Sequence, residues 1–165
     1  MPMIDSFLQE LEMEVPATRR LIERLPEDKF NWKPNEKAYS LGQLALHVAT
    51  VPGNVAQMAM QDMMEVPNFQ QPAAETRAQL LAELDKSVAT AKQTLTGMDD
   101  AKLTSLWKFA PGGKTVMEMP RAAVLRMIML NHWYHHRGQL STYLRSLGLA
   151  VPSVYGPTAD ENPFF

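Results

Sequence analysis

Residues 120–147, PRAAVLRMIMLNHWYHHRGQLSTYLRSL, carry the clearest helical pattern in the chain. Apolar side chains recur along this stretch at three- and four-residue spacing, which predicts an amphipathic α-helix. Pro120 suits the first helical turn, and Arg145 followed by Gly148 suits the end of the helix. We therefore expect a helix from about Pro120 to about Leu147, with an apolar stripe that faces the interior of the fold.

Three more helices are expected upstream. Ser40 followed by Gln43 and Thr76 followed by Gln79 are capping-box patterns, each of which marks the start of a helix. The other helix begins near the N-terminus, where apolar residues again recur at helical spacing. The three predicted helices cover residues 4–24, 40–64 and 76–97.

The connections between these helices differ in character. Residues 25–39 form a long loop between helices 1 and 2, and residues 98–117 are irregular, with a turn signal that fits a short hairpin. Pro16 and Pro52 predict a kink, a bend or a restart within the first two helices. The whole pattern predicts an all-α protein, a four-helix bundle that forms a single domain over residues 1–165.

The composition excludes several classes of protein. A net charge of -2 among 165 residues offers no basic surface for nucleic acid. The chain has no cysteine, which removes thiolate nucleophiles, disulfides and cysteine-ligated zinc. No run approaches the roughly 20 apolar residues of a membrane span, and the acidic N-terminus does not resemble a secretion signal. We expect a cytoplasmic protein that binds neither nucleic acid nor a membrane.

Three of the four histidines lie between positions 132 and 136. Residues four apart on an α-helix are offset by about 40°, so His132 and His136 lie on one face, one turn apart. Leu125 before them and Leu140 after them place the pair within the apolar stripe. A single inward histidine is usually an ordinary core residue, but two stacked imidazoles need hydrogen-bond partners for all of their ring nitrogens.

The fourth histidine, His47, lies at the edge of the inward face of the second helix, about 60° from Leu44. It can therefore approach the pair from another helix. A divalent metal ion would satisfy His47, His132 and His136 together, and three imidazole ligands leave positions open for water or substrate. The spacing predicts a metal site, and core histidines without a metal are the alternative.

The remaining histidine, His135, can replace His136 in the pair because residues three apart also share a helix face. Its alignment with Asn131 favours a supporting, surface or interface role instead. Arg137 can bind an anionic group or form a salt bridge at the surface or at an interface. Gln139 can donate a hydrogen bond to a ligand histidine.

The sequence identifies no catalytic general base. Asp62, Glu65 and Glu118 are acidic residues in or beside helix ends, and solvated surface charges are the better interpretation of all three. Trp32 and Tyr39, in the loop before His47, can form the wall of a pocket or cap the end of the core.

Three segments of the chain, taken in order, match a known protein family. They are FNWKPNEKAYSLGQLALHVA at residues 30–49, NHWYHHRGQLSTYLRSLG at residues 131–148 and VPSVYGP at residues 151–157. In their order and separation they resemble the DinB-like (DinB/YfiT) metalloenzyme family over nearly the whole chain. The first segment carries the histidine of helix two in that family at His47, and the second carries its H-x-x-x-H pair at His132 and His136.

The resemblance implies a four-helix bundle, commonly a homodimer, whose three histidines hold a divalent metal ion. Relatives include thiol-dependent S-transferases, so it implies a metal-dependent enzyme that joins a low-molecular-weight thiol to a small-molecule substrate. A metal-dependent hydrolase and a non-catalytic, stress-related metal-binding bundle are the alternatives. Zn²⁺ and Ni²⁺ are the first expected ions, and Fe or Mn are further ones, because three imidazoles accept several metals.

Overall fold

Four long helical segments form the body of the computed structural model, which describes residues 2–65 and 70–164. α2 packs along α3 and against the last segment, and α1 packs against α3. This arrangement confirms the predicted helical bundle. The segments are α1 Met3–Glu23, α2 Leu41–Met60, α3 Arg77–Thr96 and a last segment over residues 121–146.

The predicted capping residues start α2 and α3. Ser40 Oγ accepts a hydrogen bond from the amide of Gln43 at 3.2 Å, and Gln43 Oε1 accepts one from the amide of Ser40 at 2.9 Å. Thr76 Oγ1 likewise accepts from the amide of Gln79 at 3.1 Å. The side chain of Gln79, however, accepts from the amide of Glu75. The capping box of α2 is therefore complete and that of α3 is half formed.

A small sheet joins two of the connections. The strands β2 Leu106–Phe109 and β3 Met117–Pro120 form an antiparallel hairpin, as predicted for this part of the chain. β1 Met63–Met64 pairs parallel to β2, so α2 ends at Met60 and not at Met64 as predicted. The strand β1 and the helix α4 Asp100–Thr104 were not predicted. The connections also contain two 3₁₀ turns, Glu27–Lys29 and Pro111–Gly113.

The last helical segment changes its pitch before the histidines. After α5 Arg121–Val124, residues Leu125–Asn131 form a π-helix, and α6 His132–Ser146 returns to α-geometry. A π-helix bonds each amide to the carbonyl five residues earlier, so each turn holds one residue more than an α-turn. The predicted uninterrupted α-helix over residues 120–147 is wrong in this respect.

Pro52 leaves a gap in the hydrogen-bond ladder of α2 that a side chain from α6 fills. Proline has no amide hydrogen, so the carbonyl of Val48, one turn earlier, loses its helical donor. The indole Nε1–H of Trp133, which is fully buried, donates to that carbonyl at 2.9 Å. α2 therefore continues through Pro52. Because Val48 follows His47 and Trp133 follows His132, this bond also fixes the register between the two histidine-bearing helices.

α1 also continues through its proline, Pro16, from Met3 to Glu23. No helix among residues 2–65 and 70–164 is long and apolar enough to cross a membrane.

We expect Trp133→Phe to lower the free energy of unfolding by about 1–3 kcal/mol, because the buried Val48 carbonyl would lose its donor. In a Pro52→Ala background the alanine amide can donate to the Val48 carbonyl. Trp133→Phe should then lower the free energy of unfolding by about 1 kcal/mol less than it does in the presence of Pro52. Urea unfolding of the four proteins measures this coupling energy.

Trp107→Phe is the matched control, since it removes the indole hydrogen bond to the carbonyl of Met58. Its cost should not depend on the residue at position 52. Equal costs of Trp133→Phe in the two backgrounds would contradict the proposed role of the Trp133 bond.

Candidate metal centre

The three histidines of the predicted site converge between α2 and α6. Nε2 of His132 lies 2.8 Å from Nε2 of His136 and 3.5 Å from Nε2 of His47. One ligand atom from each ring lies within 4.8 Å of the other two. Zinc binds imidazole nitrogen at about 2.0–2.1 Å, which implies about 3.4 Å between the ligands of a tetrahedral site. The observed separations lie around that value, so the group could hold a metal ion.

The histidine pair lies at the margin of the buried face of α6, and the prediction that it lies within the inward stripe needs correction. Trp133 and Arg137 are fully buried, whereas His132 and His136 are half buried. The preceding π-helix supplies the reason, because its extra residue shifts α6 by one position. Trp133 and Arg137 thus take the places that an uninterrupted α-helix would give to the two histidines.

In two of the three rings, a hydrogen bond to a glutamine determines which ring nitrogen keeps a lone pair. The Nδ1–H of His47 donates to Oε1 of Gln71 at 3.2 Å, and the Nδ1–H of His136 donates to Oε1 of Gln139 at 2.7 Å. Protonation at Nδ1 leaves a lone pair on the Nε2 atom of each ring, and these lone pairs are directed toward the centre of the group. A carbonyl acceptor on the outer nitrogen is the usual support of a metal-binding histidine.

Gln71 is held in this orientation by its surroundings. It is buried, and its Nε2 donates to the carbonyl of Pro72 at 3.3 Å, which leaves Oε1 for His47. Its own backbone carbonyl accepts from Nε2 of Gln43 at 2.9 Å. Gln43 therefore caps α2 with its oxygen and positions Gln71 with its nitrogen. Gln71 was missed in the sequence, because it lies in a connection without periodicity.

Gln139 is oriented by the exposed histidine, His135. Nε2 of Gln139 lies 3.1 Å from Nε2 of His135, so the glutamine donates to that ring and keeps its oxygen for His136. The structure thus places His135 outside the group of three and in contact with its support, which is one of the predicted roles. Gln139 contacts a histidine of the group as predicted, but it accepts the hydrogen bond and does not donate it.

His132 has a buried ring nitrogen without a partner. Its Nδ1 forms no hydrogen bond within the part of the chain that the structure describes. Nε2 of His132 and Nε2 of His136 are joined by one hydrogen bond, which needs one proton. Because His136 carries its proton on Nδ1, His132 must be the donor in this bond, through its Nε2–H. A cation at the centre would replace that proton and attract all three lone pairs. The donor set therefore fits a divalent metal ion.

Burial keeps the three imidazoles neutral near pH 7. It is the largest of the causes that bring the pKa of His47 to about 4; the nearby His136 and His132 act in the same direction, and Gln71 acts in the opposite one. Burial is also the main cause that lowers the pKa of His132 and of His136. The Ile128 carbonyl opposes this effect at His132, although it forms no hydrogen bond of normal geometry to Nδ1. Neutral imidazole is the form that binds metals.

Arg137 is not at the surface, which corrects one prediction. Its side chain is 2% exposed and lies against α1, where it donates to a Glu14 carboxylate oxygen at 2.6 Å and to Thr18 Oγ1 at 3.2 Å. It also donates to the hydroxyl of Tyr155 in the C-terminal tail, and its guanidinium lies 5.1 Å from the ring centroid of Tyr134. Arg137 therefore joins α6, α1 and the tail, and its donors are not directed at the histidines.

The three acidic candidates lie elsewhere. Asp62 is 89% exposed and accepts from the buried Arg121 at 2.5 Å, while Glu118 pairs with Lys108 at 3.2 Å. Glu65 is exposed. Among residues 2–65 and 70–164, no carboxylate joins the histidine group. These positions agree with the interpretation of the three acids as surface charges.

A cleft of about 250 Å³ opens beside His136. Tyr143 Oη donates to the carbonyl of Tyr39 at 3.1 Å, and Trp32 packs edge-on against Tyr143 with 5.5 Å between ring centroids. Tyr39 thus forms part of a pocket wall, which is one of the two predicted roles, and Trp32 supports that wall. A wider groove of about 520 Å³ between the start of α1 and residues 96–100 contains no histidine. The lining of the cleft includes Lys37, Tyr39, Leu44, His136, Gln139 and Tyr143.

The fold and the site define a class of protein: a helical bundle with three converging imidazoles between two of its helices. The sequence model of one family, the DinB family, matches residues 1–162. This chain belongs to the DinB family.

Relatives and solved structures of the same kind support this assignment. The chain is 29% identical over 164 residues to the uncharacterized protein YrdA of Bacillus subtilis (strain 168), a match that covers 96% of this chain and 91% of YrdA. A DinB-like protein from Bacillus cereus ATCC 10987 has a TM-score of 0.73 at 23% identity, covering 92% of this chain and 97% of that one. The DinB-like protein YjoA from Bacillus subtilis has a TM-score of 0.68 at 18% identity, a match that covers 90% of this chain and 96% of the YjoA chain. Both solved structures share the fold.

We expect the metal-free protein to lose stability as the pH falls from about 6.5 toward about 4. The unfolded chain takes up a proton at His47 near the ordinary pKa of 6.5, whereas the folded chain does so only near pH 4. The unfolded state therefore gains its proton first, and the contribution of His47 is complete only above pH 6.5. Urea unfolding between pH 4 and pH 7 measures this loss.

The variant His47→Gln lacks the titrating group and should lose less stability over the same pH range. The variant His135→Gln, which removes an exposed histidine, is the matched control and should follow the unmodified protein. The explanation fails if all three proteins show the same pH dependence.

Proposed function

We propose that this protein is a metal-dependent enzyme in which His47, His132 and His136 hold a divalent cation. The observation that carries the proposal is the close approach of one ring nitrogen from each of the three histidines, all within 4.8 Å of one another. Gln71 and Gln139 support it, since each accepts from the outer nitrogen of a ring and so keeps the inner lone pair free. Without a metal, one proton can join only two of the three nitrogens in a hydrogen bond, whereas a cation between them can bind all three lone pairs.

A catalytic role is supported by the access that a reactant would have. Three protein ligands leave a position free in a tetrahedral site, as in catalytic zinc centres, whereas structural zinc sites have four. The half-buried rings and the cleft beside His136 let a small molecule approach the group from the side of Tyr39 and Tyr143.

We further propose that the reaction transfers the sulfur of a low-molecular-weight thiol to an electrophilic carbon of a small-molecule substrate. The resemblance to a family that includes thiol-dependent S-transferases supports this choice. A divalent cation in the site would supply Lewis acidity, which lowers the pKa of a thiol that binds beside it. The sulfur must come from a separate molecule because the chain has no cysteine.

The transfer balances with a thiol and an electrophile as its only reactants. The thiol gives its proton to solvent, its sulfur forms a bond to the carbon, and the leaving group departs with the bonding electron pair. Within this scheme Gln71 and Gln139 keep two rings oriented and protonated at Nδ1, and Tyr143 forms one wall of the cleft. Zn²⁺ and Ni²⁺ are the first candidates for the ion, before Fe and Mn, since imidazole suits them. The homodimer and the cytoplasmic location stay predictions.

We expect the purified protein to contain about one divalent metal ion per chain, and to conjugate a small thiol to an electrophile such as 1-chloro-2,4-dinitrobenzene. His132→Ala should lose both the metal and the conjugation, because one of three ligands is removed. Metal analysis by mass spectrometry and absorbance of the thioether product measure the two quantities.

Glu65→Ala changes an exposed acid and is the control, which should keep both the metal and the activity. A metal that is bound and only raises the thermal stability, without conjugation of any thiol tested, would contradict the transferase. Protein without bound metal, also after incubation with Zn²⁺ or Ni²⁺, would contradict the site itself.

We expect Gln139→Leu to weaken Zn²⁺ binding about 10- to 100-fold, because His136 would lose the acceptor that fixes its Nδ1 proton. Gln139→Glu keeps an acceptor oxygen and should bind Zn²⁺ at least as well as the unmodified protein. His135→Leu should have a smaller effect than Gln139→Leu, since it acts only through Gln139. Competition with a chelating dye measures the three affinities.

The control for these variants is Thr142→Ala, an exposed position on the same helix. It should leave the Zn²⁺ affinity unchanged. If Gln139→Leu and Thr142→Ala bind Zn²⁺ equally, the glutamine does not support the site.

A further inference from the structure

We propose that the cleft beside His136 binds a small organic monoanion, with its charged group at Lys37 and its apolar part between Tyr39 and Tyr143. This inference rests on the proposed function, because the anion bound in the cleft would be the electrophilic substrate of the metal-dependent reaction. It names the class of that substrate as a small carboxylate with an apolar body.

The position of the cleft associates it with the histidine group. His136 and its partner Gln139 both belong to its lining. On the opposite side Tyr39 extends toward the other helix, with its ring centroid 6.2 Å from that of His47. A molecule in the cleft therefore lies between the loop before α2 on one side and His136 with its partner Gln139 on the other.

The walls of the cleft are mainly apolar and aromatic. Leu44 is 1% exposed and lies at the inner side. The hydroxyl of Tyr143 is already used, since it donates to the carbonyl of Tyr39 at 3.1 Å. Trp32 packs edge-on against the ring of Tyr143 and holds it in place. The cleft thus offers ring surface to a ligand, which suits a flat apolar body.

The charge of the cleft is positive. Lys37 is the cation of the lining, and within the described residues its ammonium forms no ion pair. In the part of the chain that the structure describes, no carboxylate belongs to the lining, whose other polar groups are the imidazole of His136, the amide of Gln139 and the hydroxyls of the two tyrosines. A divalent ion in the neighbouring site would add to the positive potential. The cleft therefore favours a negatively charged ligand.

Lys37 is also held at a defined place in the loop. The side chain of Asn35 accepts a hydrogen bond from the amide of Lys37 at 3.0 Å. The carbonyl of Asn35 accepts another from the amide of Ala38 at 3.0 Å. These two bonds form a tight turn that carries the lysine to the mouth of the cleft and leads into the wall residue Tyr39.

The size of the cleft decides which reactant it takes. Its volume of about 250 Å³ lies below the roughly 300–1,000 Å³ of pockets that enclose drug-sized ligands. A peptide-sized thiol does not fit inside, whereas a molecule the size of a substituted benzoate does. We therefore assign the cleft to the electrophile.

The inference can be tested with benzoate and benzyl alcohol as probes of equal shape and different charge. Each is titrated into the Zn²⁺-loaded, ¹⁵N-labelled protein, and amide chemical shifts are followed by nuclear magnetic resonance. We expect benzoate to shift the amides of Tyr39, Gln139 and Tyr143. Lys37→Gln should weaken benzoate binding at least threefold and leave the binding of benzyl alcohol unchanged.

Two variants complete the experiment. Lys37→Arg keeps the positive charge and should retain benzoate affinity within twofold. Lys33→Gln removes another exposed lysine of the same loop that does not line the cleft, and it should bind benzoate like the unmodified protein. Equal benzoate affinity of Lys37→Gln and the unmodified protein, or shifts confined to residues outside the cleft, would overturn the inference.

The zinc content of each sample and its conjugation activity separate this inference from the proposed function. Zinc-containing, active protein whose amides do not respond to benzoate would overturn the assignment of the cleft and leave the enzyme standing. Protein that binds benzoate through Lys37 but retains no zinc would support the cleft as an anion site and overturn the metal-dependent enzyme.

Discussion

The hydrogen bond from the indole of Trp133 to the carbonyl of Val48 is the constraint on which the histidine group depends. Pro52 makes this bond necessary, because it leaves the carbonyl of Val48 without a helical donor in the interior of the bundle. The two bonded residues are the sequence neighbours of His47 and His132. A shift of either helix by one residue would therefore break a buried hydrogen bond and separate the rings.

Much of the fold follows from local patterns that a single sequence displays. Ser40 and Thr76 start helices because their hydroxyls accept from amides three residues on, and that spacing is visible in the chain. The π-helix over Leu125–Asn131 is not visible in this way, since its buried residues still alternate with exposed ones at a helix-like period. β1 Met63–Met64 is two residues long and exists only because β2 pairs with it, which no local pattern predicts.

The histidine group was predictable from helical spacing and from the family resemblance, but its support was only partly so. Gln139 follows His136 at a spacing that allows contact on one helix. Gln71 approaches His47 from a connection 24 residues later, and only the tertiary fold brings the two together. Arg137 is charged, so the sequence predicts for it an anionic ligand or a salt bridge at the surface or at an interface. Its burial depends on Glu14 of α1, more than 100 positions before it, and on Tyr155 of the tail, 18 positions after it.

The histidines and the cleft belong to different parts of the chain. The three rings extend from helices α2 and α6, whose mutual position is fixed by buried bonds, whereas Lys37 and Tyr39 extend from the loop before α2. Loops tolerate sequence change better than the packed elements they connect. With the ligand role proposed for the cleft, related bundles can therefore diverge in ligand preference by exchanging residues 33–39 while the imidazoles keep their positions. The same separation makes this loop a suitable region for redesign of selectivity on an unchanged scaffold.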